Sequence, residues 1–217
     1  MIHNLQIFLE ALLFIYLARL TGALIINFRF DYSIIGGLGT LGLIGLALAA
    51  FGIFTAPAIW LVFIAIALLA RKIIAADIAI IKKIEIKKVF AGTTFLKIII
   101  VVWLLANLLI VFVPLTGHDT LDYHLPIIQD LVSSERLTFN QEISAYVYLP
   151  ILGEIIYALP TAAFGETGAP YVFQIIQFSI LALFATITFA FTKRWTKTSF
   201  LPAAAVIALL AIMPLER

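Results

Sequence analysis

The chain has 217 residues, 64% of them hydrophobic and 12% charged, with a mean hydropathy of +1.15. Soluble domains carry about 25% charged residues, so a soluble globular protein is excluded and an all-α, polytopic membrane helix bundle is expected. The absence of cysteine excludes disulfides, thiolate metal sites and cysteine nucleophiles. The net charge of +2 implies no nucleic-acid partner, because the basic residues sit where membrane topology requires them.

Apolar segments predict about six transmembrane helices, at 5–27, 33–54, 56–74, 95–114, 169–191 and 199–214. Each approaches the ~20 residues needed to cross about 30 Å of hydrocarbon. Residues Met1–Gln6 lack the cationic region and cleavage site of a secretory signal, so the first segment is expected to stay as an anchor. Glu10 and Arg19 lie in or near it. Intramembrane charge is a functional candidate by default, although Arg19 can reach an interface along its own stem. The second span carries Gly37-Leu-Gly39-Thr-Leu-Gly42. By letter this is a dinucleotide-binding fingerprint, but no strand precedes it and no acid follows until Asp77. Close helix packing, continued by Gly45 and Ala49, is its expected use.

Ile73–Phe90 predicts an amphipathic surface helix, with Ile74, Ile78 and Ile81 on one side and Lys82, Lys83, Lys87 and Lys88 on the other. A basic linker that only fixes topology is the alternative. This basic segment and a second cluster, Lys193, Arg194 and Lys197, are expected on the cytoplasmic side of the cell membrane. Loop 115–168 is then extracytoplasmic and carries amphipathic or interfacial helices. Leu149–Phe164 is apolar but interrupted by Glu154 and bracketed by Pro150 and Pro160. It is read as interfacial or re-entrant, since a crossing there would put Lys193–Lys197 outside.

Seven of the chain's 12 acids fall between His118 and Glu166, where Arg136 is the only Lys or Arg. The stretch Asp119-Thr-Leu-Asp122-Tyr123-His124-Leu125-Pro126 opens this region. A carboxylate at the edge of the hydrocarbon is partly desolvated, which strengthens it as a proton acceptor. Two other uses stand beside that one. Asp119 or Thr120 can cap a helix running to about Ser134, with Leu121, Leu125, Ile128 and Val132 as its apolar stripe. Pro126 would make that helix start late and leave Asp119–Leu125 as a turn. Alternatively, His118, Asp119, Asp122 and His124 can hold a divalent metal.

The loop resembles the GT-C superfamily, membrane glycosyltransferases that use polyprenyl-phosphate-linked sugars. Protein mannosyltransferases and aminoarabinose transferases are members. The match runs through Pro114, Asp119, Tyr123, His124, Leu125 and Pro126, with His118 standing where relatives carry tryptophan. A second block, P-x-x-x-E-x-x-Y, falls on Pro150, Glu154 and Tyr157. A span ending in Lys193 and Arg194 follows. The resemblance implies that 1–94 are accessory helices with a basic linker, and that 95–217 begin a catalytic module whose remainder is missing. It implies Asp119 as general base of an inverting transfer. Asp122, Tyr123, His124, Arg136, Glu154 and Tyr157 would bind or orient substrate. The partners it implies are a polyprenyl-phosphate-linked sugar, a lipid or glycan acceptor and the surrounding lipid; no cofactor is required, though a divalent metal is compatible. A transporter subunit and a non-catalytic membrane scaffold are the competing readings.

Overall fold

The computed structural model describes residues 2–25, 30–83, 95–110, 120–138, 151–165, 169–196 and 202–207. Among them every regular element is a helix: α1 (Ile2–Ile25), α2 (Phe30–Ala50), α3 (Ala56–Leu69), α4 (Arg71–Ile81), α5 (Phe95–Ile110), one π-helical turn (Thr120–His124), α6 (Leu125–Ser134), α7 (Leu152–Phe164) and α8 (Ala169–Trp195). Residues 202–207 are also helical. Among the described residues three stretches, in α1, α2 and α8, are long and apolar enough to cross a membrane; the bent pair α3–α4 makes a fourth only if it is counted as one broken span. The expected spans 95–114 and 199–214 are helical where described and extend beyond the described residues.

The α1–α2 hairpin is built on small residues. A Cβ added at Gly37 would lie 1.6 Å from the Ala18 carbonyl oxygen, and one at Gly22 would lie 1.7 Å from that of Ser33. The two backbones therefore touch, a contact that only residues without side chains permit. Further along α2, Gly42 faces Leu152 and Ile156 of α7, and Gly45 faces Ile155 and Leu159. The glycine run thus packs helices, with Gly39 left open. Gly37→Val must push two main chains apart and is expected to cost about 3 kcal/mol, the upper end for overpacking. Gly39→Val should shift stability by no more than about 0.5 kcal/mol. Thermal unfolding in detergent measures both, and equal melting temperatures for the two variants would refute the close crossing.

Phe14, Phe54, Phe63, Ile128, Ile155 and Ile175 belong to one buried core that joins α1, α2 and α3 to α6, α7 and α8. A smaller cluster sets Leu181, Ala185 and Val206 against Ile100 and Trp103 of α5.

The third span differs from expectation. Thr55 caps α3, its side chain accepting from the Ala58 amide. However, α3 stops at Leu69, and the chain turns by 68° into α4 instead of running on to residue 74. In this bent arrangement Asp77, the one buried residue of α4, meets Arg19 of α1 at 2.8 Å. Ile74 joins the core, while Ile78 and Ile81 stay exposed. The expected continuation to Phe90 leaves the described residues after Lys83.

The two ends of the bundle are distinct. At one, the Phe54 amide donates to the Glu135 carbonyl and the Leu137 amide to that of Ala49, both at 3.0 Å. Trp60, one turn into α3, donates to the Ala163 carbonyl and meets Phe164 edge-on. The α2–α3 connection, the end of α6 and the end of α7 therefore gather there. At the other end lie α4 and the close of α8 with Lys193 and Arg194.

Candidate functional site

Pro126 sets the local geometry. It has no N–H to give to a preceding turn, and the five residues before α6 take a wide π-helical turn in place of the expected open turn. Such widened turns add a residue and recur at functional sites. The addition also rotates the apolar stripe. Leu121 is exposed, and the buried face of α6 is Ile127, Ile128 and Leu131, with Leu125 and Val132 half-buried.

The widened turn delivers His124 to α7. Its Nδ1 lies 2.8 Å from Glu154 Oε1, with 32% of the histidine side chain and 12% of the glutamate side chain exposed. The Tyr123 ring lies 4.1 Å from the imidazole, and Phe173 of α8 lies at 6.4 Å. Glu154 sits in the first turn of α7, where the helix macrodipole favours a negative charge. One turn on, Tyr157 packs on Phe173 at 4.1 Å and hydrogen-bonds Gln177. Burial pushes the Tyr157 phenol up to about 12, outweighing the Gln177 hydrogen bond that pulls it down. Tyr157 therefore stays a neutral hydroxyl at any physiological pH.

The depth of this cluster follows from its neighbours. The first turns of α7 lie against Gly42 and Gly45, roughly 12 and 8 Å back from the end of α2 at Ala50. The end of α6 reaches that end of α2 through Leu137. Both short helices thus begin inside the bundle and rise to one end of it. The 13 residues of α7 cover only ~20 Å. Pro160 does not bracket the helix but lies within it, and α7 stops at Gly165, whose φ of +101° suits glycine alone.

Chemically, Glu154 accepts the Nδ1 proton of His124 and so fixes the ring, leaving Nε2 to accept or hold a proton. The second carboxylate oxygen of Glu154 is buried and has no hydrogen-bond partner among the described residues, a state that costs free energy until a donor arrives. Of the residues expected from the sequence, Tyr123, His124, Glu154 and Tyr157 come together. Asp122 is exposed on the same turn. Arg136 is exposed beyond the far end of α6, roughly 15 Å of helix away from the pair. Asp119 and His118 lie outside the described residues, immediately before the turn. Among the described residues no three His, Asp or Glu side chains converge on one point.

Sequence reading missed Phe173 and Gln177, which share one face of α8 at i,i+4 spacing. It also missed the Arg19–Asp77 pair, where Tyr16 adds a 3.3 Å hydrogen bond to Asp77. An acid within a run of cations, and a lone arginine in the first span, were the available signals. Comparison with protein-family models, with curated proteins and with solved structures finds no match.

Proposed function

We propose that the chain, with about six spans, is an integral membrane glycosyltransferase of the GT-C type or part of one. It transfers a sugar from a polyprenyl-phosphate donor to an acceptor hydroxyl on the extracytoplasmic face. The supporting observation is the His124–Glu154 pair. It joins the two separate sequence blocks on which the resemblance rests, across 30 residues of chain. In this reading Asp119 takes the acceptor's proton as its oxygen attacks the anomeric carbon. The bond from that carbon to the phosphate oxygen breaks, and the electron pair leaves with polyprenyl phosphate. Glu154 and Tyr157 bind substrate hydroxyls, the first as acceptor and the second as donor. His124 is held in place by Glu154. The cationic end of the bundle faces the cytoplasm and the end carrying 135–137 faces outward, as Lys and Arg placement favours.

One observation favours a second reading, a transporter subunit. Short helices that begin inside a bundle, with ionisable groups at their starts, are also how many transporters build a central site. Proteoliposomes loaded with a labelled polyprenyl-phosphate sugar and an acceptor separate the two. Labelled product with release of polyprenyl phosphate is expected. Solute flux without product would replace the transferase reading with the transporter one.

A further inference from the structure

The basic helix α4 is not used by the reaction, and its placement carries a separate conclusion. The 68° turn at Ala70 takes α4 out of line with α3. On a wheel of about 100° per residue, carried on through the two residues that follow α4, Arg71, Lys72, Lys82 and Lys83 fall within one arc of about 120°; Lys82 is the C-cap and keeps helical dihedrals. All four are exposed. The opposite side is isoleucine, with Ile73 and Ile74 on the core and Ile80 and Ile81 exposed, while exposed Ile78 borders the cations beside Arg71. At the centre of that apolar side is Asp77, bonded to Arg19 and Tyr16 of α1. Because both partners of the pair are only 11% exposed, the bond fixes the rotation of α4 about its axis. The cations are thereby turned away from the bundle and the exposed isoleucines toward its flanks. Lys193 and Arg194, both exposed, stand at the same end.

We infer that α4 is a docking surface for anionic phospholipid, lying in the plane of one leaflet and held at a fixed rotation by the Arg19–Asp77 bond. Charge complementarity favours the occupant: four cations in one arc meet anionic headgroups, while the isoleucines beside them enter the acyl boundary. A soluble anion would use the cations alone and leave the exposed isoleucines unexplained.

The experiment uses the purified whole chain in detergent, with retention of added phosphatidylglycerol read by mass spectrometry against phosphatidylcholine. Preferential retention of phosphatidylglycerol is expected. Each of Arg71→Gln, Lys72→Gln, Lys82→Gln and Lys83→Gln should weaken it about fivefold, and these exposed positions leave the fold intact. Asp77→Asn, with every cation kept, should also weaken retention, and Asp77→Glu should restore it in part. Equal retention of the two lipids, or undiminished retention by the four-fold Gln variant, would overturn the inference. So would displacement of the lipid by glycerophosphate at equal concentration, which would mark a free-phosphate site. The outcome is independent of sugar transfer.

Discussion

Asp119→Asn is expected to lower sugar transfer by about 10²–10⁴-fold, the contribution of a positioned proton acceptor, with insertion and thermal stability unchanged. The substitution separates the two uses of this residue. Asparagine caps a helix as well as aspartate does, so a purely structural Asp119 would tolerate it in every assay. Asparagine cannot take a proton from an acceptor hydroxyl, so a catalytic Asp119 would lose only the reaction. Initial rates with a polyprenyl-phosphate sugar, measured on the protein that carries this segment, decide the matter. An unchanged rate would leave Asp119 as a cap to the turn that opens at Thr120.

Arg19→Leu is expected to destabilise the fold by about 3–5 kcal/mol, because Asp77 would remain buried without its countercharge. Removing both charges should cost far less. The double variant Arg19→Met with Asp77→Leu replaces the pair by apolar side chains of similar size, an exchange that is often neutral. Unfolding midpoints in detergent for the two singles and the double give the coupling directly. Additive losses would mean that the 2.8 Å contact contributes nothing of its own, and the rotation assigned to α4 would lose its support.

The helical, membrane-type architecture was legible because apolar length and the clustering of Lys and Arg are one-dimensional signals. The glycine run in α2 was readable as packing for the same reason: its context excluded a nucleotide loop. The partner of each glycine was not, since Gly37 meets α1 while Gly42 and Gly45 meet a helix over 100 residues away. Two expectations differ from the structure. The helix expected to reach residue 74 ends at Leu69, and the chain beyond the bend is joined to α1 by a distant ion pair, which hydropathy cannot register. The stripe expected on α6 is rotated because Pro126 comes with a widened turn, and regular 3.6-residue spacing fails across it. At the site, Glu154 and Tyr157 are one helical turn apart and readable together, and His124 was recognisable from its block. That His124 and Glu154 meet required the fold, which returns α7 into the bundle beside the start of α6.

The proposed function requires position 119 to face the non-cytosolic side. The chain has no cysteine, so single cysteines at 119 and at 83 can be probed in intact cells with a membrane-impermeant maleimide. Labelling at 119 without permeabilisation, and at 83 only after it, is the predicted result. The reverse pattern would contradict the account, because the proposed proton acceptor would then face the cytosol.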